Sequence, residues 1–371
     1  MRSKLGPGAL RIAYCGPIAQ PGQPARGGYE AANRRLIDDL RLRGVDVLEL
    51  PYPQAQGTTL AKGMTHARRL LSIAVEMVQQ RRRFDIFHLT PLYRHFLYGE
   101  AMLCTLARRL GKRVVFDIRT GSFIRHYEIR GTAYRALTDA LMRRADALAV
   151  EGLEVMPFAE ARHEGPILYL PNYDMPHGTE RKTSATRQDS PIRLIFLGRI
   201  VPEKGIEAAI ATVEALQAMG LLAHLEVVGG GEADYVDALK SRAVRLPVSW
   251  SGALAADAIR QRLAAAHFFV FPTWHQGEGH SNALTEAMAE GAVPICSENG
   301  FNRSVVAGTG RILSLDAAGS DYAQAIAEIW RSGSWQYLSN AARERVALHY
   351  TSDVVVAGLI RRYAGTMTAA A

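Results

Sequence analysis

"IRLIFLGRIVPEKG", residues 192–205, is an apolar run interrupted only by Arg193 and closed by a glycine, followed by a short loop with two cations and a proline. A strand buried on both faces of a parallel sheet reads as such a run. What precedes it matters as much. DMPHGTERKTSATRQDSP, 174–191, is polar, holds Gly, Pro, Ser and Thr, and has no apolar periodicity, so it reads as a linker. The chain therefore starts a second fold at Ile192. Upstream, apolar runs at 10–16, 45–51, 85–90, 113–119, 147–151 and 166–172 alternate with amphipathic stretches at 30–43, 64–80, 100–110 and 134–144. Downstream, strands are expected at 192–198, 225–231, 248–252, 268–273, 293–298 and 311–315. Helices are expected at 205–219, 232–244, 257–265, 282–290, 321–332 and 336–348. Strand then helix, twice over, predicts an α/β protein of two doubly wound, Rossmann-like domains facing across a cleft.

Bulk properties agree with two domains. A chain of 371 residues is long for one core. Hydrophobic residues make up 48% and charged residues 22%, an ordinary globular composition. No apolar run is long enough to span a bilayer. MRSKLGPGALRIAYCG at the start reads as a first strand, not a signal peptide. Cys15, Cys104 and Cys296 are widely spaced, which suits a reducing compartment and gives no metal spacing. The net charge of +8 sits wholly in the first half: residues 1–180 hold 26 Lys+Arg against 18 Asp+Glu, and the rest hold 18 of each. Arg68-Arg69, Arg81-Arg82-Arg83, Arg108-Arg109, Lys112-Arg113 and Arg143-Arg144 form its clusters. They suit an anionic membrane surface or acidic substrate, and equally the C-terminal ends of helices. No nucleic-acid motif accompanies them.

Two stretches in the second half carry chemistry. Gly198 turns the chain after the strand, and Arg199 and Lys204 then project where the next helix starts, a seat for a polyanion such as a pyrophosphate. GEGHSNALTEAM, 277–288, sets Glu278 and Glu286 eight positions apart around a helix start. Gly277, Gly279 and Ser281 keep the turn small, and Ser281 or Asn282 supplies a cap. Ala283, Leu284, Ala287 and Met288 share one helix face, with Glu286 off it. Eight residues of helix span about 12 Å, comparable to a nucleotide-sugar from sugar ring to ribose. A carboxylate at each end would accept hydrogen bonds from hydroxyls, with the phosphates between.

Taken together, Gly27-Gly28 before a helix that ends in RLRGVDVLELP, LPNYD (170–174), GRIVPEKG, VVGGGE (227–232) and the glutamate pair ending in EAM resemble the retaining glycosyltransferases of family 4, which have the GT-B fold. The resemblance implies that Arg199 and Lys204 neutralise the donor diphosphate, that Glu286 holds the ribose hydroxyls, and that Glu278 contacts sugar hydroxyls beside the amides of Gly279, His280 and Ser281. Backbone near Gly252, Ala253 and Leu254 would face the base. It also implies an acceptor-binding domain at 1–175 with a helix at about 350–371 packed back on it, a linker at 176–191, and a nucleotide-sugar domain at 192–349. His280 and Ser281 stand where the family often has Phe and Gly, and His280 is expected either at a substrate or as a half-exposed packing ring.

In the first half, Gly27 and Gly28 open an amphipathic helix, and in the lookalike family this loop approaches the donor phosphate and the acceptor. VVFDIRTGSF, 114–123, ends a strand. Where the family often carries a histidine near the reacting sugar, this chain has Arg119, with Asp117 two residues earlier on the same strand face, placed to form an ion pair. That pair either holds the strand end or positions substrate. His88, Arg94 and His126 are further acceptor-site candidates. No Asp-x-Asp occurs, so neither metal nor cofactor is expected, only the nucleoside-diphosphate sugar as substrate. The expected activity transfers its sugar, with retention, to a saccharide or lipid-linked saccharide, in surface-polysaccharide or glycolipid synthesis. The expected place is the cytoplasm, peripheral at the inner membrane face, with an arginine-flanked helix over 64–80 packed in the core or lying on the bilayer. Alternatives are a GT-B epimerase or phosphorylase and a non-catalytic nucleotide-sugar-binding subunit.

Overall fold

The computed structural model describes residues 10–22, 27–53, 59–174 and 191–368. Of the expected linker stretch 174–191, only Asp174 and Pro191 lie within them. The chain divides into two compact units, Met1–Pro171 with Ser352–Ala371, and Asn172–Thr351.

The first unit runs β1 (Arg11–Gly16), α1 (Gly28–Leu42), β2 (Asp46–Pro51), α2 (Thr59–Gln79), β3 (Ile86–Leu89), α3 (Leu97–Arg109), β4 (Arg113–Ile118), α4 (Phe123–Glu128), α5 (Thr132–Arg144), β5 (Ala147–Val150), α6 (Met156–Glu160) and β6 (Ile167–Tyr169). The second runs β7 (Ile192–Leu197), α7 (Ile206–Ala218), β8 (Ala223–Val228), α8 (Ala233–Arg242), β9 (Val248–Gly252), α9 (Ala256–Ala265), β10 (Phe268–Phe271), α10 (Asn282–Glu290), β11 (Val293–Ser297), α11 (Asn302–Val306), β12 (Arg311–Leu313), α12 (Gly319–Ser332) and α13 (Trp335–His349). The last helix, α14 (Ser352–Thr368), belongs to the first unit.

Each unit holds a six-stranded, all-parallel sheet, in the orders β2-β1-β3-β4-β5-β6 and β12-β11-β10-β7-β8-β9. The inner strands β1, β3, β4, β5, β7, β10 and β11 are buried along nearly their whole length because helices cover both faces, whereas β2, β6, β9 and β12 are only partly buried. In the first unit the chain leaves β1 for β2 and returns on the other side as β3, so the order reverses between β1 and β3. In the second it reverses between β7 and β10, which pair directly. Right-handed crossovers place α2, α3 and α5 on one face of the first sheet; α2 packs on α3 and α3 on α5, while α1 packs with α14. Ser352 donates to Asp39, and Arg43 donates to Asp353 at 2.7 Å, fixing the start of α14 to α1.

All the main expected strands and helices occur, with shifted ends. The strand expected at 225–231 is β8 and stops at Val228, because Gly229 takes φ 142° and turns the chain. The helix expected from Met64 begins at Thr59. The short α4, α6 and α11 carry too few residues to show a period and were not expected.

Candidate functional site

In an open parallel sheet, loops at the carboxyl ends of strands part where the strand order reverses, and a crevice opens there. In the second unit that point lies between β7 and β10. The loop after β7 holds Gly198, Arg199 and Lys204, and the loop after β10 holds Thr273 to Ser281. Glycines let the first loop lie close. A Cβ at Gly229 would sit 1.8 Å from the Gly198 carbonyl oxygen, so only glycine there allows the loop to lie against β8. The Gly198 amide donates to Val228 O at 3.0 Å and the Ile200 amide to Gly230 O at 2.8 Å. This is the structural role of VVGGGE. Gly205 has φ 74°, and a Cβ there would meet Pro272 O at 2.1 Å, which holds Lys204 against the end of β10.

Lys204 Nζ then donates to Glu278 Oε2 at 2.5 Å, and Thr273 Oγ1 donates to the same oxygen at 2.9 Å. Glu278 is only 8% exposed. Ser297 Oγ donates to Thr273 O at 2.5 Å, and Asn299 Nδ2 donates to His275 O at 3.0 Å, bracing the loop from the end of β11. Arg199 is exposed and has no ion pair among the described residues. Burial holds the His275 ring below its ordinary pKa, and the cations of Lys204 and Arg199 add to this, so both cations act on one point. Thr273 and His275 belong to the site and were not singled out from sequence. Their signal is position, directly after a buried strand and just before Glu278.

The glutamate pair needs one correction. α10 begins at Asn282, so Glu278 precedes the helix and the rise of eight helical residues does not measure the separation. Glu286 is half-buried in the second turn of α10, beside the wholly buried Leu284, Ala287 and Met288. Ser281 occupies the cap position but its side chain makes no capping bond. The buried Oδ1 of Asn282 has no hydrogen-bond partner among the described residues, and Gly279 is half-buried beside it. Of the two expectations for His280, the structure shows the packing ring, buried and not half-exposed. It is 3% exposed, its Nε2 bonds Thr285 Oγ1 at 2.6 Å, and its ring meets Tyr350 edge-on at 4.9 Å. It is a core residue that ties the turn to α10. LPNYD braces the same helix at both ends: Asn172 Nδ2 donates to His280 O at 2.6 Å, and Arg260 joins Asp174 at 2.5 Å to Glu290 at 3.1 Å. Gly252, at φ 66°, is exposed with its carbonyl accepting from Gly229 N at 2.8 Å; Ala253 is exposed and Leu254 half-buried.

The first unit gathers charge at its own reversal point and seals it. Arg119 Nε donates to Asp117 Oδ2 at 2.6 Å, and His88 Nε2 bonds the same oxygen at 3.0 Å. His88 Nδ1 bonds the hydroxyl of Tyr363 on α14, and the ring stacks on Tyr14 at 4.6 Å. The Tyr93 hydroxyl donates to Asp117 O at 3.2 Å and accepts from Arg119 N at 3.2 Å. Tyr14 donates to Asn33 Oδ1 at 2.9 Å and accepts from Thr90 Oγ1 at 3.0 Å. Burial opposes the charge on Asp117, but Arg119 and His88 outweigh it and hold the carboxylate below its ordinary pKa. The expected Asp117–Arg119 pair is thus present. His88, expected among the acceptor contacts, is wholly buried, and Asp117 and Arg119 are buried with it. Tyr14, Tyr93 and Tyr363 were missed because nothing local in the sequence joins them.

Gly27 takes the cap position of α1 and Gly28 opens it, both exposed. His126 lies apart on α4, half-buried; burial lowers its pKa, with Arg94, Arg130 and Arg125 adding to the effect. Among the described residues no cluster of His, Cys, Asp or Glu fits a metal ion, and no helix is long and apolar enough to cross a membrane.

Comparison with known proteins bears on this geometry. Residues 191–332 match the family model of group 1 glycosyl transferases. No curated protein matches the chain by sequence. Among solved structures, sucrose-phosphate synthase from Thermosynechococcus elongatus superposes with a TM-score of 0.72 at 16% identity, covering 97% of this chain and 100% of that one. Anabaena HepE in complex with UDP-glucose gives 0.65 at 16% identity, covering 97% and 100%. The lipopolysaccharide outer core galactosyltransferase WaaB, in its apo form, gives 0.67 at 14% identity, covering 97% and 99%. The fold of the chain is that of these structures, GT-B.

Proposed function

We propose that the protein is a retaining glycosyltransferase that moves a sugar from a nucleoside-diphosphate sugar to a hydroxyl of a saccharide or lipid-linked saccharide. The observation that carries this reading is the Lys204–Glu278 pair, with Arg199 on the same loop as Lys204, at the strand-order reversal between β7 and β10 and just before the first turn of α10. The match of this domain to group 1 glycosyl transferases supports it. So does HepE, whose solved complex holds UDP-glucose.

Cleaving the glycosidic bond builds positive charge on the sugar and negative charge on the leaving diphosphate. Arg199 and Lys204 are held by the backbone before the reaction, so they stabilise that anion without rearranging. The amides opening α10 add donors whose dipole favours the same charge. Glu278, fixed by Thr273, is the acceptor for sugar hydroxyls, and Glu286 on α10 is the acceptor for the ribose. Gly252 and Leu254 border the base. The first domain takes the acceptor, with Gly27 and Gly28 at its mouth and His126 beside Arg94 at its rim. Asp117, Arg119 and His88 serve this domain from within, as positioning residues.

A second reading, a subunit that binds nucleotide-sugar without transferring it, draws on the enclosure of Arg119: bonded to Asp117, it offers no free group at the strand end. Incubating wild type and Glu286→Ala with a panel of nucleotide-sugars, and following slow hydrolysis by mass spectrometry, separates the readings. One donor should be consumed by wild type and largely spared by the variant. Equal consumption by both removes Glu286 from the site, and no consumption of any bound donor favours the binding subunit.

A further inference from the structure

Helix α2 has two apolar faces, and the fold uses one. His66, Leu70, Ile73 and Met77 recur at helical spacing and are buried. On the opposite side Met64, Leu71, Val75 and Val78 form a second stripe that stays exposed, Leu71 at 65% and Val75 at 47%. From Met64 to Val78 it runs about 21 Å along the helix. Neighbouring α3 continues it with Tyr98 and Met102, one turn apart and both exposed. Isolated exposed apolar side chains are normal on a protein surface; a continuous stripe across two packed helices marks a contact surface.

The charge around the stripe identifies the contact. Arg68 lies within it. Arg81, Arg82 and Arg83 follow α2 and, with Gln79 and Gln80, line one shallow hollow. In a parallel α/β layer the helices run opposite to the strands, so α2, α3 and α5 all end at the same sheet edge. Topology thereby sets Arg108 and Arg109 on α3, and Arg143 and Arg144 on α5, along the edge that carries Arg81–Arg83. The acids there are already engaged: Asp85 with Arg11 at 2.7 Å, Asp146 with Arg108 at 3.4 Å, Asp46 with Arg83 at 3.9 Å, and on α2 Glu76 with Arg69 at 2.8 Å. Arg68, Arg81, Arg82, Arg109, Arg143 and Arg144 have no acid partner among the described residues.

We propose that the outer face of α2 and α3, with the Arg81–Arg83 hollow, docks the first domain on an anionic lipid bilayer, the apolar stripe entering the headgroup–acyl boundary and the arginines seated on lipid phosphates. An amphipathic helix lying in the interface combines these two features, apolar burial and attraction to acidic lipid. A second copy of the chain fits poorly, since a two-fold contact through this face would set the same arginines against each other. A nucleic acid would engage the arginines and leave the stripe in water.

The test is flotation of the purified full chain with vesicles of phosphatidylcholine alone, and of phosphatidylcholine with phosphatidylglycerol, at low and high salt. Wild type should float with the acidic vesicles and release at high salt. The triple variant Arg81→Gln, Arg82→Gln, Arg83→Gln should partition on the order of a hundredfold more weakly. Leu71→Gln with Val75→Gln should weaken it at least about tenfold. All five positions are exposed, so circular dichroism and the thermal midpoint should be unchanged. Independently, Val75→Cys carrying an environment-sensitive dye should shift to the blue on acidic vesicles only. The proposal is overturned by no flotation at low salt, by a stripe variant that floats like wild type, by a dye that stays in water, or by release with inorganic phosphate, which would make the hollow a site for a soluble anion. A dimer in light scattering that the stripe variant dissolves would overturn it too. Every readout is binding or environment, so the result stands apart from the transferase reading.

Discussion

The two domains each collect charge at the point where their strand order reverses, and they treat it in opposite ways. In the first, Asp117, Arg119 and His88 are buried, closed over by Tyr14, Tyr93 and Tyr363. In the second, Lys204 and Glu278 pair at the edge of the surface and Arg199 is exposed with no ion pair among the described residues. Removing a charge from water is costly unless a partner and hydrogen bonds replace the hydration. The first domain meets that demand completely, which makes its cluster a structural element. The second leaves a cation in excess, which makes its cluster a seat for an anion.

The comparison breaks most visibly at Arg119. Arg119→Met leaves the Asp117 carboxylate buried with His88 as its remaining side-chain partner at Oδ2, while Oδ1 has no hydrogen-bond partner among the described residues. Unfolding in urea should show a loss of about 3–5 kcal/mol. Adding Asp117→Asn should restore most of it, since replacing both members of a buried pair costs far less than removing one. A single variant as stable as wild type would mean the cluster is hydrated and available to substrate.

Glu100 in the same domain is the counter-example, a buried acid without a cation. Its Oε1 accepts from Leu92 N at 2.6 Å and from the Tyr52 hydroxyl at 3.1 Å, and it supports the turn in which Tyr93 and Arg94 take φ 60° and 54°. Burial pushes its carboxyl up to about 7. The folded protein thus holds this proton more tightly than the unfolded chain. Its contribution to stability is full below the ordinary value of 4.5 and is lost as pH rises to about 7, after which it is flat. The total is about 3 kcal/mol. Glu100→Gln mimics the protonated form, so its stability should overtake that of wild type by about this amount across the window. Parallel urea midpoints at acid and neutral pH would exclude the effect.

The same contrast explains what could be read in the sequence. Both sheets were legible because strands covered on two faces appear as apolar runs, such as LIFL and FFVF. The loop of Arg199 and Lys204 was legible because it is local, the eight residues 198–205 between β7 and α7. The sealed cluster was legible only as the pair Asp117 and Arg119, two positions apart. Tyr14, Asn33 and Tyr363 reach it from β1, α1 and α14, and no spacing in the sequence encodes contacts that long. Histidine is chemically ambiguous in a sequence: rings distant in the chain, Tyr14 for His88 and Tyr350 for His280, decide how each is packed. In α2 both apolar faces were present in the sequence, but which one the sheet covers is a property of the packing.

Arg199 sharpens the other side of the comparison. Its exposed side chain makes no hydrogen bond or ion pair among the described residues, so Arg199→Ala should change stability by less than about 0.5 kcal/mol. Losing a charged contact to a diphosphate should weaken nucleoside-diphosphate binding by about 1.5–3 kcal/mol, roughly tenfold to a hundredfold in Kd by calorimetry. Stability lost without affinity lost would place Arg199 among the structural charges, with Arg119.

Glu278 should give the smallest effect, and one of opposite sign. Its carboxylate holds Lys204 at 2.5 Å, so a diphosphate must compete for that ammonium. Glu278→Gln keeps an acceptor for Thr273 Oγ1 and removes the charge. Stability should fall by about 1 kcal/mol, as for a pair only partly withdrawn from solvent. Freed from the carboxylate, Lys204 should bind nucleoside diphosphate about fivefold more tightly, while turnover of the sugar donor falls because its hydroxyls lose a charged acceptor. The two readouts moving apart is the informative result. If diphosphate affinity instead falls with turnover, the carboxylate is orienting Lys204 toward the phosphate, not holding it in reserve.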